Sequence, residues 1–143
     1  MPYWFLEDVA IADVAFEAEG KTLSELFQQA ALALTNTMVT DVATVAKKTV
    51  RSFEAEAANL EMLLFHFLQE LIFYKDAELL LFSRFDLAIE QGIGKWRLRA
   101  SASGEEISPD KHELLADVKA VSLHDFKVGK TAGGWTASII LDV

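Results

Sequence analysis

The chain contains no cysteine, two prolines (Pro2 and Pro109) and seven glycines among 143 residues. Without cysteine there is no disulfide framework, no thiolate zinc site and no cysteine nucleophile, which fits a reducing compartment. The scarcity of proline and glycine leaves no linker, low-complexity run or repeat at which to divide the chain, so residues 1–143 are read as one domain. Basic residues are also short in supply: 13 Lys and Arg stand against 22 Asp and Glu, a formal charge of −9. Such a surface repels phosphate backbones, so little or no direct nucleic-acid binding is expected. A basic protein partner or a divalent cation suits it better. Long apolar runs are missing too. Residues 60–74 are interrupted by Glu61, His66, Gln69 and Glu70, and the stretch is shorter than the ~20 residues of a membrane span. The first 13 residues carry Glu7, Asp8 and Asp13 and lack the basic start of a signal peptide. A soluble, cytoplasmic protein with no membrane association is expected.

What the chain does have is apolar material, 52% of its residues, enough for a full core at this size. Tyr3–Leu6 and residues 14–19 read as strands around Asp13. Thr22-Leu23-Ser24-Glu25 is a capping box, with the Thr22 hydroxyl on the Glu25 amide and Glu25 reaching back to Thr22. The helix after it places Leu23, Leu26, Phe27, Ala30, Ala31, Leu34 and Met38 on one face. Residues 48–57 read as a strand, and Asn59 caps a second helix over 60–75. That helix is apolar nearly all round, with a polar strip at His66, Gln69 and Glu70, which predicts a central position. From Phe85 the period changes to two. Phe85, Leu87 and Ile89 pair through Gly92-Ile93-Gly94 with Trp96, Leu98, Ala100 and Ala102. Residues 104–116 read as a long polar loop. A final hairpin joins 118–128 to 135–142 across Gly133-Gly134. Two helices and about seven strands, mostly antiparallel, give an α+β fold in one domain.

Local catalytic signatures are absent: no Walker glycine loop, dinucleotide fingerprint, G-x-S-x-G elbow or H-E-x-x-H. An accessory role is favoured over catalysis. None of the three histidines has metal-ligand spacing to another. His66 is read as half-buried on its helix, His112 as solvated in the loop, and His124 as closing a strand. Two carboxylates stand in apolar surroundings, Asp13 after Val9-Ala10-Ile11-Ala12 and Asp142 after Ile139-Ile140-Leu141. They read either as a turn cap and a solvated end or, if the first and last strands are neighbours, as an oxygen cluster with the terminal carboxylate of Val143. A cluster of that kind suits a hard cation. Lys119 stands in an otherwise apolar strand, either as an edge-blocking charge or as a cation offered to a carboxylate or phosphate.

These segments resemble the archease family. Asp117-Val118-Lys119-Ala120-Val121-Ser122-Leu123-His124 is similar to its E-V-K-A-x-T-Y-H strand. Ile139-Ile140-Leu141-Asp142-Val143 is similar to its ending, and Asp13 with Gly20-Lys21-Thr22-Leu23 and Glu25-Leu26-Phe27 to its T-A-D … G-K-T-L-E-E-L-F. Leu63-Leu64-Phe65-His66-Phe67-Leu68-Gln69-Glu70-Leu71 resembles its central helix, and Pro109-Asp110-Lys111-His112-Glu113 its loop before the lysine strand. The resemblance implies an accessory of the RNA-splicing ligase that joins tRNA halves, one that promotes guanylylation and repeated turnover. It implies metal ligation by Asp13, Asp142 and Val143, with calcium as the expected ion, and activation or partner contact by Lys119 and His124. Three positions depart from the pattern. Ala10-Ile11 replaces His-Thr, Ser122 a threonine and Leu123 a tyrosine. A general chaperone or modulator of another enzyme, and a metal-dependent hydrolase built from Asp13, Asp142, Lys119 and His124, are the competing readings.

Overall fold

The computed structural model describes residues 2–7 and 13–143. Its elements are β1 (Tyr3–Leu6), β2 (Asp13–Gly20), α1 (Leu23–Met38), a short 3-10 turn (Val42–Thr44), β3 (Thr49–Ala57), α2 (Leu60–Glu78), β4 (Leu80–Gly92), β5 (Lys95–Glu106), β6 (Ala120–Thr131) and β7 (Gly134–Asp142). The strands form two antiparallel sheets, ordered β1-β2-β7-β6 and β3-β5-β4. Both helices touch both sheets, so they form a layer between them. This is the α+β architecture expected, with the strands divided between two sheets.

The helix caps explain where the helices begin. Thr22 Oγ1 accepts the Glu25 amide at 3.1 Å. The reciprocal bond reaches one residue further out than expected, from the Lys21 amide to Glu25 Oε2 at 2.7 Å. Asn59 Oδ1 accepts the Met62 amide at 2.9 Å and starts α2. That helix runs three residues past the expected Lys75 and stops at Leu79, a left-handed residue (φ 57°) whose amide bonds the Tyr74 carbonyl.

Helices placed between two sheets must be apolar on more than one side. Accordingly α1 buries Leu26, Phe27, Ala30, Ala31, Ala33, Leu34 and Met38. Phe67 of α2 is fully buried and lies within 6.2 Å, centroid to centroid, of Phe27, Phe53 and Phe85. The rings join α1, α2 and the second sheet. Strand β3 alternates cleanly between half-buried and exposed residues.

The β4–β5 hairpin is longer than its alternation suggested. Gly104 permits this, since a Cβ there would stand 1.7 Å from the Leu81 carbonyl oxygen. Residues 104–116 are therefore only in part the polar loop expected. Their first part completes β5, and their last part is tied to the end of α1. The Thr40 amide bonds the Glu113 carbonyl at 2.9 Å, and the Leu115 amide bonds the Met38 carbonyl at 2.8 Å.

Candidate functional site

Strand β7 lies between β2 and β6, so its last residue has a neighbour on each side. Asp142 is directly opposite Asp13 of β2 and Ala120 of β6. Residues opposed in an antiparallel pair have Cβ atoms about 4.5–5.5 Å apart and project to the same face. Two carboxylates in this register repel each other, and a cation between them would relieve the repulsion. Asp13 is half-buried and Asp142 exposed. Lys119, one residue ahead of β6, donates its amide to the Asp142 carbonyl at 2.8 Å, and its side chain is exposed. Val143 follows Asp142 directly. Asp13, Asp142, Val143 and the backbone of Lys119 thus lie at one corner of the four-stranded sheet.

Among the described residues the metal-ligating groups of this corner are oxygens, which matches a hard cation of the calcium or magnesium type. Among the described residues no group of three or more His, Asp or Glu side chains is placed to hold a metal. A cation here would be held by the two carboxylates together with main-chain oxygen from Val143.

His124 is not brought to this corner. It stands four residues along β6 from Ala120, about 13 Å at the usual strand rise, where the register is broken between Ser122 and Lys127. The break includes Asp125 at φ 52°. The His124 ring is solvent-exposed and meets Asp125 Oδ2 at 3.2 Å. So His124 lies within a bulged strand rather than at its end. Ala10 and Ile11 lie outside the described residues. Leu123 is exposed.

The other histidines also differ from expectation. His66 is exposed, not half-buried. His112 is 1% exposed rather than solvated. Its Nδ1 accepts the Ser108 amide at 3.0 Å, and its Nε2 faces Glu105 Oε2 at 3.0 Å. An accepting Nδ1 leaves the hydrogen on Nε2, which donates to the carboxylate. Glu105 is itself buried and also accepts the Ala46 amide at 2.7 Å and Lys111 Nζ at 2.6 Å. The Ala46 bond, then the Lys111 bond, hold its carboxyl at about 2 against an ordinary 4.5.

A second group escaped the sequence reading. Lys75 is 3% exposed. Its ammonium donates to Asp117 Oδ1 at 2.6 Å and the Val118 carbonyl at 2.7 Å, and it meets Asp76 Oδ1 at 2.5 Å. Burial disfavours the charge, but the bonds to Asp117 and Asp76 outweigh it, and the pKa is raised above the ordinary lysine value. The available signal was positional: Leu68, Ile72 and Lys75 follow the i, i+4, i+7 spacing of one helix face, so a lysine stands where an apolar residue is expected.

Comparison with known proteins identifies the family. A profile of the Archease protein family (MTH1598/TM1083) matches residues 3–143. A protein archease from Pyrococcus furiosus is 41% identical over 133 residues, 92% of this chain and 93% of its own. One from Methanosarcina mazei is 34% identical over 142 residues, 99% of this chain and 95% of its own. Among solved structures, Methanobacterium thermoautotrophicum protein 1598 superposes with a TM-score of 0.85 at 36% identity, covering 99% of each chain. An archease from Thermotoga maritima, described as a possible chaperone, superposes at 0.58 with 16% identity over 96% of this chain and 97% of its own, a likeness of fold.

Proposed function

The chain belongs to the archease family, and from that premise we propose that it is a non-catalytic activator of an RNA-splicing ligase. In this reading it promotes guanylylation of the ligase and its multiple turnover in tRNA splicing. The observation that carries the reading is the cross-strand register of Asp13 with Asp142, beside the Lys119 amide on Asp142. Asp13, Asp142 and main-chain oxygen of Val143 would hold a divalent ion; the oxygen set fits calcium or magnesium alike, and calcium is the ion that the family resemblance implies. A bound cation would supply charge stabilisation next to transferring phosphate. Phosphoryl transfer depends mainly on positioning and on neutralising charge, so an accessory can accelerate it without forming bonds.

The chain's own residues divide the work. Asp13 and Asp142 concentrate negative charge at one exposed corner. Lys119 offers an exposed cation within the same corner, suited to a phosphate or to a partner carboxylate. His124, separated from them, would act only as a distinct partner contact. The test is single-turnover guanylylation of the ligase, with and without this protein. Acceleration is expected, and an unchanged rate would remove the proposal.

General chaperone activity is the second reading. It is favoured by Trp4, Phe5 and Leu6 on the edge strand β1, each more than a third exposed, since exposed apolar surface is what such a function requires. Suppression of aggregation of unrelated proteins, without any effect on the ligase, would favour it.

A further inference from the structure

Strand β6 is an edge strand of the four-stranded sheet, so one side of its backbone has no strand partner. Helix α2 fills that role with side chains. Glu61 Oε2 accepts the Val128 amide at 3.2 Å, Gln69 Oε1 accepts the Val121 amide at 2.9 Å, and Lys75 Nζ donates to the Val118 carbonyl at 2.7 Å. At 100° per residue, positions 61, 69 and 75 fall within one third of the helix circumference. Phe65, on the same arc, meets Phe126 edge-on at 6.2 Å. One helical face thus secures β6 at several points, and Lys75 secures the segment just ahead of β6, nearest the carboxylate corner.

We infer that Lys75 is a positioning residue for that corner, acting through the segment 117–119. Its ammonium grips the Asp117 carboxylate and the Val118 carbonyl. The next residue, Lys119, carries the amide that bonds the Asp142 carbonyl. With Val118 fully buried, the segment has little freedom to shift while the grip holds. The chain of contacts runs from a buried ammonium on α2, through two consecutive residues, to the backbone of a proposed cation ligand. Outer-shell groups of this kind orient ligands without touching the metal. Lys119 itself is exposed, while Lys75 is buried and fully engaged by three acceptors. The inference rests on reading Asp13 and Asp142 as a cation corner, and it adds the residue that keeps Asp142 in register with its lysine.

The test combines amide hydrogen exchange in metal-free protein with calcium titration, for wild type, Lys75→Met and Asp117→Asn. Methionine keeps the buried length and removes the grip. Asp117→Asn leaves the ammonium its bonds to Asp76 and Val118, and so preserves the fold should Lys75→Met fail to fold. The Lys119 amide is expected to exchange faster in both variants, with the Val128 amide, held by Glu61, unchanged. Calcium affinity is expected to fall about tenfold in Lys75→Met. Unchanged exchange at Lys119 would overturn the inference, whatever the metal does. Faster exchange with unchanged calcium affinity would also overturn it. A wild type that binds no calcium would instead refute the cation corner, while the exchange data still decide whether Lys75 holds the segment.

Discussion

At the scale of single residues, charge behaves differently from its appearance in the sequence. Glu105 and His112 sit in a stretch that reads as polar loop, yet both are buried and bonded to each other. A carboxyl held at about 2 is more acidic folded than unfolded. Its contribution to stability is therefore present above about pH 4.5 and is lost as pH falls toward 2. Replacing it with glutamine removes that window and leaves Lys111 without its partner. Glu105→Gln is expected to lower stability at neutral pH by about 1–3 kcal/mol and to flatten the decline between pH 4.5 and 2. Urea denaturation across that range measures both. The partners of Glu105 explain why sequence alone hid it. Ala46 comes from the segment just ahead of β3, and nothing local to residue 105 announces it. Asp13 and Asp142 were visible as isolated carboxylates, but their meeting depends on which strands pair. That is a property of the whole sheet.

At the scale of elements, periodicity was the dependable signal. The Thr22 box, the Asn59 cap and the alternation around Phe85 and Leu98 locate α1, α2 and the β4–β5 hairpin because each depends on neighbours along the chain. Ends were less legible. Strand β5 continues to Glu106 because Gly104 lets the Leu81 backbone approach closely, a contact between strands. Helix α2 shows both sides of this. Its apolar face was plain, but the use of Glu61, Gln69 and Lys75 to satisfy an edge strand requires knowing that β6 lies beside it. Two outcomes follow for this helix. Phe67→Ala is expected to cost about 3–5 kcal/mol, since it empties the contact among α1, α2 and the second sheet. Gln69→Leu leaves the buried Val121 amide unbonded, at about 1–3 kcal/mol, with accelerated exchange confined to that region of β6. Global acceleration of equal size across both sheets would show that the edge bond has no local role.

At the scale of the whole molecule, two sheets enclose a helical layer and leave one sheet corner bearing two opposed carboxylates and a lysine. The formal charge of −9 supports recruitment by a basic protein surface, and association with such a partner is expected to slow as ionic strength rises. Among the described residues no helix is long and apolar enough to cross a membrane. The central claim is that the corner activates the ligase. Its most direct test is single-turnover guanylylation with folded Asp13→Ala, Asp142→Ala and Lys119→Ala proteins, with His124→Ala as the variant outside the corner. Each corner variant is expected to lose most of the acceleration given by the wild type, and His124→Ala to lose less. Full acceleration by all three corner variants would contradict it.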